Sequence, residues 1–367
     1  MSVLTCGFIG LGLIGGSLAK ALKAADASIR ILAFDAEQDT LTRAASEGIV
    51  DVTASGIDQT FSGCDYLFLC APVSCNEENL TTIRSILSPD CLLTDVGSVK
   101  STTHAKITEL GLDDQFIGGH PMTGSERTGY ANASPRLLEN AYYILTPTPK
   151  VSADKVAAYE ALVNKMGAIP LILSPDRHDF VTAAISHLPH VAAAALVNLV
   201  QTSDSEEGTM RQVAAGGFKD ITRIASSSPA MWQQICLSNP NNLSRLLDTY
   251  IESLQSVKEA LGTQNGEALL TFFDKARTYR DSFSNASHGP IKRIYDLSLD
   301  IADRPGALAH VATLLAEAEI SIKNIGITHN REIEEGSMRI EFPDEASLLH
   351  AKALLKQAGY TVYISRV

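Results

Sequence analysis

Gly10-Leu11-Gly12-Leu13-Ile14-Gly15 follows an apolar run over residues 4–9 that has the composition of a β-strand. Residues 16–22 have helical spacing, and a second apolar run over residues 29–34 ends at Asp35, twenty residues after Gly15. This order of strand, glycine turn, helix and strand is the context in which a G-x-G-x-x-G motif binds a dinucleotide. The pattern predicts an opening Rossmann-like fold; the alternative is a glycine-rich turn in an α/β domain without a cofactor.

The motif assigns a role to each glycine and to Asp35. Gly10 permits the tight turn, Gly12 lets the backbone approach a pyrophosphate, and Gly15 lets the helix pack closely against the strand. A carboxylate at position 35 accepts hydrogen bonds from a ribose 2′-hydroxyl and repels a 2′-phosphate, which favours NAD over NADP. The residues expected to bind NAD are Gly10, Gly12, Leu13, Ile14, Gly15, Asp35, Ala71 and Pro72.

Length and charge narrow the class of protein. The chain has 367 residues, which is too long for one hydrophobic core and predicts two or three domains. Its net charge of -12 argues against nucleic acid or an anionic membrane as the main partner. An anionic substrate then requires a local cationic pocket.

The cysteines and the hydropathy pattern indicate where the chain works. None of the six cysteines has C-x-x-C spacing, which indicates buried thiols in a reducing compartment, here the cytoplasm, and not a disulfide or zinc framework. The apolar amino terminus lacks a basic segment and is interrupted by glycines, so it is expected to be folded structure. No apolar run approaches about 18 residues, so no transmembrane helix is expected.

Strand-like and helical segments alternate up to residue 174 and predict a first domain, residues 1–174, with a parallel, doubly wound sheet. Within it, the segment 118–126, GGHPMTGSE, has a histidine between a glycine pair and a proline, which predicts a turn at His120. Ser98 follows a neighbouring strand, so both side chains are expected at the carboxyl edge, where such sheets bind ligands. The alternative for His120 is a hydrogen bond within its own loop. Lys100 is expected to pair with a surface carboxylate.

Residues 175–285 have helical patterns and predict a helical substrate-binding and dimerisation domain. Residues 181–200 are apolar on nearly all sides, which predicts a helix buried on most sides and a homodimer formed through it. This helix contains Ser186, His187 and His190, and the two histidines share a face. We expect a polar pocket there; the alternatives are core histidines or half of a metal site, but no set of ligands stands out and no metal is predicted.

Three further residues of this region have distinct expectations. Arg223, between apolar neighbours, is either buried in an ion pair or presents its planar fork to a ligand carboxylate. Trp232 is expected to be a core residue. Pro189 cannot donate a hydrogen bond to the helix and is expected to kink it.

Residues 284–290 have the composition of a linker, and a third domain follows at residues 293–367. Its segments have the order strand, helix, strand, strand, helix, strand, which predicts a ferredoxin-like βαββαβ fold. Such a sheet has one open face and an open edge, which invites pairing with a second copy.

The sequence resembles prephenate dehydrogenases that have a C-terminal ACT domain, over essentially the whole chain. The resemblance rests on GFIGLGLIGGS, DVGSVKS, GGHPMTGSE, SHLPH and AGGFKDITRIA, and on DRPGALAHVATLLAEAEISIKNIGI for the ACT domain. It departs from the family at Ala215, where a third glycine is common, and at Ser125, where threonine also occurs. It implies NAD-dependent oxidative decarboxylation of prephenate to 4-hydroxyphenylpyruvate, in tyrosine biosynthesis.

The resemblance also implies roles for the candidate residues. His120 is the base that accepts the proton of the ring hydroxyl, and Ser98 is the hydrogen-bond partner that orients His120 and that hydroxyl. Arg223 holds a substrate carboxylate. The remaining substrate-binding candidates are His190, His187, Ser186 and Glu126.

The ACT domain resembles amino-acid sensors and implies feedback inhibition by L-tyrosine and further pairing between ACT domains. The alternative is that it only adds dimer interface. The expected effector-binding residues are Arg304, Gly306, Ala307, Leu308, Asn324 and Ile325. Two other functions stay open at this point. One is arogenate dehydrogenase, and the other is a non-catalytic Rossmann–ACT sensor of amino acids.

Overall fold

The structure is a computed structural model that describes residues 3–72, 75–124, 127–285, 295–302, 304–329 and 335–364. The backbone divides into two compact units, Met1–Asn265 and Gly266–Val367. The domain boundaries that the sequence predicts, near residues 174, 285 and 293, stay predictions.

The first unit opens with a five-stranded parallel sheet of strand order β3-β2-β1-β4-β5. Asp35 directly follows β2, as predicted. This order makes β1 the central strand. The glycine turn after β1 therefore lies at the centre of the edge formed by the carboxyl ends of the strands. The strands are β1 (Thr5–Ile9), β2 (Arg30–Phe34), β3 (Val52–Thr53), β4 (Tyr66–Leu69) and β5 (Leu92–Asp95).

A second sheet of order β6-β7-β8 continues beside β5 through a parallel bridge between Leu93 and Phe116. Strand β6 runs antiparallel to β7, whereas β7 and β8 are parallel, so the prediction of parallel pairing throughout was wrong here. The reason is the connection: residues 122–141 contain no crossover α-helix among those described, and parallel neighbours require one. The strands are β6 (Ile117–Pro121), β7 (Tyr142–Pro147) and β8 (Ile169–Ile172).

Helices cover both faces of the sheet, which confirms the Rossmann-like fold class. One core joins α1, α2 and α5 to residues such as Phe8 and Phe68, and the other joins α3 and α4 to residues such as Leu67 and Leu69. Adjacent strand residues point to opposite faces, so Leu67 and Phe68 enter different cores. The helices are α1 (Leu13–Ala25), α2 (Gln38–Ser46), α3 (Asn76–Arg84), α4 (Ser101–Leu110) and α5 (Ala153–Lys165).

The rest of the first unit is helical, and its central feature is one continuous helix, Pro175–Ser203. It consists of α6 (Pro175–Thr182), a π-helical turn (Ala183–His187) and α7 (Leu188–Ser203). In the π turn, which precedes Pro189, the N–H of Leu188 donates to the carbonyl of Ala183. The kink expected at Pro189 stays a prediction. The other helices are α8 (Thr209–Val213), α9 (Gly216–Thr222), α10 (Pro229–Ser238) and α11 (Pro240–Gly262).

The expectation that residues 181–200 are buried on most sides is wrong for a single chain. In α7 the buried residue is Ala193, whereas Ile185 and Leu199 are 62% and 60% exposed. The cause is that no described element of the chain covers this apolar face. The sequence predicts that a second subunit packs against this apolar face.

Among the described residues, the helix Pro175–Ser203 is long and apolar enough to cross a membrane, judged by length and composition. Of its most apolar stretch, 22% is buried in the structure. However, its polar residues His178 and Asp179 are buried against the sheet domain. These bonds indicate a helix that belongs to the folded unit.

The second unit contains α12 (Gly266–Asn285) and a four-stranded antiparallel sheet of order β10-β11-β9-β12. The predicted βαββαβ order is confirmed, and β10 and β12 are the edge strands. Leu315, Leu355 and Met338 are among the residues that form the core between helices and sheet. The elements are β9 (Tyr295–Ala302), α13 (Ala307–Glu317), β10 (Asn324–His329), β11 (Glu335–Phe342), α14 (Glu345–Gln357) and β12 (Val362–Ile364).

Candidate active site

The glycine turn has the shape that a pyrophosphate requires. Gly10 has a φ of 96°, and a Cβ atom on it would lie 2.7 Å from the backbone nitrogen of Ala71, so only glycine fits. A Cβ on Gly12 would meet no atom within 4 Å, which leaves open space beside the amino end of α1. No described side chain caps that end, so its N–H groups are available to a phosphate. The described residues therefore fit a dinucleotide.

Asp35, which the sequence predicts to bind the ribose, also orders this turn. Its Oδ2 accepts a hydrogen bond from the N–H of Leu11 at 2.6 Å, and its Oδ1 accepts one from the N–H of Glu37 at 2.8 Å. Leu13 and Ile14 begin α1, and Ala71 and Pro72 follow β4 at the same edge of the sheet. The predicted cofactor residues thus lie together around the carboxyl ends of β1, β2 and β4.

His120 lies inside a strand and not in the predicted turn. It pairs with Ile144 across β6 and β7, one residue before the strand ends at Pro121. The two preceding glycines make this possible because the strand passes very close to its neighbours. A Cβ on Gly119 would lie 2.6 Å from the carbonyl oxygen of Asp95. His120 is nevertheless at the carboxyl end of β6, on the ligand-binding edge of the sheet.

A chain of hydrogen bonds connects His120 to a carboxylate in the helical region. Nδ1 of His120 lies 2.8 Å from Nε2 of His178, and Nδ1 of His178 lies 2.8 Å from Oδ1 of Asp179. His178 and Asp179 are both buried. No described residue forms a hydrogen bond with Nε2 of His120, so this atom can face a substrate.

Asp179 is itself held at the start of α4. Its Oδ1 accepts a hydrogen bond from the N–H of Lys100 at 2.7 Å, and its Oδ2 accepts one from the N–H of Ser101 at 2.9 Å. The amide of Asn239 donates to its carbonyl oxygen at 2.7 Å. A carboxylate at a helix amino terminus is stabilised by the helix dipole and by these N–H groups. Burial raises the pKa of Asp179, but hydrogen bonds from His178 and Ser101 outweigh burial and lower it overall.

The side chain of Lys100 is completely buried, which contradicts the expected pairing with a surface carboxylate. Its Nζ forms an ion pair with the buried carboxylate of Asp95 and donates to the carbonyl oxygen of Gly119 at 2.7 Å. Asp95 also accepts hydrogen bonds from the N–H groups of Gly97 and Gly119, at 3.1 and 3.2 Å. This cluster therefore fixes the loop that carries Ser98 beside the strand that carries His120.

Ser98 lies in that loop, but no hydrogen bond joins it to His120 in the structure. Among the described residues, the partner that orients His120 is His178. His178 therefore has the orienting position toward the histidine that was expected for Ser98. The position of Ser98 next to β6 still allows Ser98 to contact a substrate.

Burial is the main cause of the pKa shifts in this cluster. It lowers the pKa of His120 well below its usual value, and electrostatic interactions with His178, Lys100 and His187 lower it further. It also lowers the pKa of His178, which the bond to Asp179 only partly offsets. Both histidines are therefore neutral at pH 7, which is the state that a base requires.

A second group of aromatic residues extends the site along the helix. The ring of His190 stacks on Trp232 at 3.6 Å between centroids, and Trp232 is half-buried, so it is not the fully buried core residue that the sequence predicts. Nδ1 of His190 lies 2.9 Å from the carbonyl oxygen of Ser186. His187 is buried, with Nδ1 3.5 Å from the amide nitrogen of Asn239.

Two buried nitrogens in this group lack partners among the described residues, namely Nε2 of His187 and Nε1 of Trp232. A buried N–H without an acceptor costs about 1–3 kcal/mol. Such groups suit an oxygen-rich ligand, which can accept from them.

Arg223 lies where α9 ends, in a short 3-10 turn that packs against α7. It is exposed in the single chain, and its charge lowers the pKa of His190, after the larger effect of burial. The guanidinium is therefore not buried, and its presentation to a ligand stays a prediction. Glu126 falls outside the described residues.

Sequence reasoning missed His178, Asp179, Asn239 and the buried state of Asp95 and Lys100. One pattern was available: His178, Thr182 and Ser186 follow at intervals of four on the helix that carries the SHLPH motif, so they share a face with it. Asp95 and Asn239 have no comparable pattern, because their contacts are made only by distant parts of the chain.

Family models match three successive regions of the chain. Residues 18–171 match the prephenate dehydrogenase nucleotide-binding domain, residues 174–275 its dimerization domain, and residues 295–359 the ACT domain.

Individual relatives match over most of the chain. A prephenate dehydrogenase of Bacillus subtilis (strain 168) is 36% identical over 360 residues, which are 96% of each chain. The structure of a prephenate dehydrogenase from A. aeolicus in complex with hydroxyphenyl propionate and NAD+ is 32% identical, has a TM-score of 0.73, and covers 77% of this chain and 99% of its own. That of a Synechocystis arogenate dehydrogenase is 27% identical, has a TM-score of 0.68, and covers 76% of this chain and 100% of its own.

Proposed function

Because the chain belongs to the prephenate dehydrogenase family and is an NAD-dependent oxidoreductase, we propose that it converts prephenate to 4-hydroxyphenylpyruvate and carbon dioxide in tyrosine biosynthesis. The observation that carries this proposal is the position of His120. Its ring is fixed at the carboxyl end of β6 by His178, on the sheet edge that also carries the glycine turn. A neutral base and a dinucleotide site on one edge are what removal of a hydride from a carbinol requires.

The chemistry assigns a task to this base. As the hydride leaves the carbon that bears the ring hydroxyl, positive charge develops there and the O–H bond weakens. Nε2 of His120 accepts that proton, and the loss of the ring carboxylate as carbon dioxide makes the ring aromatic. The proton then returns to the phenolic oxygen, so the reaction releases no net proton. NAD, when bound, is the acceptor of the hydride.

The other site residues hold the anionic substrate. Arg223 binds one carboxylate through its planar guanidinium. It supplies the local positive charge that an anionic substrate requires in a chain whose net charge is -12. His190 and His187, with Ser186, contact the rest of the substrate from the helix. Ser98 donates to the oxygen of the ring hydroxyl, whose own proton goes to His120. Glu126, in the segment after β6, is the last of the proposed substrate-binding residues.

The dimerisation domain and the ACT domain imply a homodimer and an amino-acid effector. The exposed apolar face around Ile185 and Leu199 supports dimer formation through the helical region. For the effector we propose L-tyrosine. An apolar groove of about 440 Å³ supports a site there, because two of the predicted effector residues, Leu308 and Ile325, line it. The other four are neighbours of these two in sequence: Arg304 and Gly306 precede α13, Ala307 begins α13, and Asn324 begins β10.

These proposals also place the enzyme in the cytoplasm, where its substrate and NAD are available. Pairing of two ACT domains through the open edge of β10 would place two grooves next to each other. Analytical ultracentrifugation of the purified chain tests the assembly. A monomer at micromolar concentration would contradict the dimer.

The reaction is tested by a direct comparison of substrates. Purified enzyme is supplied with prephenate or arogenate, each with NAD or NADP, while reduced nicotinamide is followed by absorbance and the product is identified by chromatography. We expect the highest kcat/KM with prephenate and NAD. A higher kcat/KM with arogenate would establish the second candidate, which the similarity to the Synechocystis enzyme favours. No turnover with either substrate would leave the non-catalytic sensor.

A further inference from the structure

Resting on the function proposed above, we propose that His178 and Asp179 are positioning residues that hold His120 in the tautomer whose Nε2 is free to accept the substrate proton. The three side chains come from two separate parts of the first unit. His120 is on β6, and the other two are neighbours on α6. Their distances, 2.8 Å in both links, are those of direct hydrogen bonds.

The direction of each hydrogen bond follows from the carboxylate. Asp179 is ionised and can only accept, so Nδ1 of His178 must carry the proton of the bond between them. A neutral His178 then has its lone pair on Nε2. This atom can only accept, so Nδ1 of His120 carries the proton of the next bond. The lone pair of His120 is therefore on Nε2.

Asp179 is fixed strongly enough to set this direction. The N–H groups of Lys100 and Ser101 donate to its two oxygens, at 2.7 and 2.9 Å. Both come from the amino end of α4, where the helix dipole favours a negative charge. His178 is completely buried, so water does not compete for its nitrogens.

The same arrangement stabilises the charge that the reaction creates. When the O–H bond of the substrate breaks and the Nε2–H bond of His120 forms, the ring becomes an imidazolium. Its Nδ1–H then donates a stronger hydrogen bond to His178, and the charge is compensated through His178 by Asp179. The groups that face the two rings from the surrounding elements are Lys100 and His187 near His120, and Asp179, Asp95 and Lys100 near His178.

The test compares His178→Leu with His178→Gln in the full-length enzyme. Leucine removes the acceptor, so we expect kcat for prephenate to fall about 10- to 1,000-fold with KM changed little. The glutamine oxygen can accept from His120 while its amide donates to Asp179, so most of kcat should return. His104→Gln is the matched control, since His104 is a partly buried histidine that bonds Thr146 in the sheet domain. Its kcat should stay near that of the wild type.

Two further readouts separate positioning from a packing role. The acidic limb of kcat/KM should involve two protons in the wild type, one for each histidine, and one proton in His178→Gln. By NMR with ¹⁵N-labelled histidine, Nδ1 of His120 should be protonated in the wild type and His178→Gln, and mixed in His178→Leu. The His120 signals are identified by their loss in His120→Asn.

The outcomes are distinguishable from those of the proposed function. If the wild type turns over neither prephenate nor arogenate, the proposed function is wrong, yet the NMR comparison still decides the tautomer. If His178→Leu keeps wild-type kcat, or if His120 carries its proton on Nε2 in the wild type, the positioning role is wrong. Equal losses in the leucine and glutamine variants with an unchanged pH profile would also overturn it.

Discussion

Lys100 and Asp95 form an ion pair in which both side chains are 0% exposed, directly behind the strand that carries His120. Removing charges from water is costly, and such a pair is stable only when further hydrogen bonds satisfy it. Here the N–H groups of Gly97 and Gly119 donate to the carboxylate of Asp95, and Nζ of Lys100 donates to the carbonyl oxygen of Gly119. The pair therefore ties the loop after β5 to β6 and sets the distance between Ser98 and His120.

Replacing Lys100 by methionine should destabilise the protein by about 3–5 kcal/mol, because it leaves the buried carboxylate of Asp95 without its partner. The free energy of unfolding is measured by urea denaturation followed by tryptophan fluorescence. Lys165→Met is the control, because its pair with Asp26 is solvent-exposed and should contribute about 0–1 kcal/mol. Equal effects of the two substitutions would contradict the role assigned to Lys100.

Replacing His120 by asparagine should lower kcat about 100- to 10,000-fold, because the amide cannot accept a proton. KM for prephenate should change little, since the carboxylates are held elsewhere. Steady-state kinetics over a range of prephenate concentrations measure both constants. Unchanged turnover in this variant would refute the assignment of His120 as the base.

Replacing Arg223 by alanine should mainly raise KM, by about tenfold to a hundredfold, the range expected for a lost charged hydrogen bond of 1.5–3 kcal/mol. The KM of Arg223→Lys should lie between those of the wild type and Arg223→Ala, because an ammonium is charged but lacks the planar fork. The control is Arg30→Ala, at the opposite, amino end of β2. A fall in kcat with KM unchanged would indicate that Arg223 acts in the chemical step instead.

Stability should depend on pH through His187. Burial lowers its pKa to about 4 in the folded chain, whereas an unfolded histidine titrates near 6.5. The unfolded state therefore binds more protons between these values, and the free energy of unfolding falls by about 3 kcal/mol from this group as pH drops from 6.5 to 4. His187→Asn should show a correspondingly smaller slope in denaturation experiments over this range. An identical slope would show that His187 is protonated equally in both states.

The effector groove can be tested by placing a charge in it. Leu308→Glu puts a carboxylate into an apolar groove and should weaken tyrosine inhibition at least about tenfold, or 1.4 kcal/mol. The measure is the ratio of rates with and without tyrosine in each variant. Leu349→Glu, at an exposed position of α14, is the control and should keep the wild-type ratio. A wild type that tyrosine neither inhibits nor stabilises against heat would refute the effector proposal.

Much of the fold was predictable because its causes are local. The glycine turn requires a positive φ at Gly10 and open space at Gly12. Both requirements concern residues close together in the chain, so the sequence motif reveals them. The periodicity of the C-terminal segments likewise predicted βαββαβ. The antiparallel β6 was not predictable in this way, because strand direction depends on how the chain returns to the sheet. His120 was placed in a turn for a related reason: its glycine and proline neighbours are typical of turns, but here the glycines serve close packing.

By itself the sequence determined the NAD-binding turn, the domain types and the identity of His120 as a candidate base, since each depends on residues close together in the chain. Only the tertiary structure decided what surrounds that base. His178 is 58 residues from His120, and Asp179 is 79 residues from the Lys100 N–H that holds it. A hydrogen bond requires two atoms within about 3 Å, and no local pattern specifies that proximity across such separations. Packing of the long helix against the sheet creates it, and with it the hydrogen bond between His120 and His178.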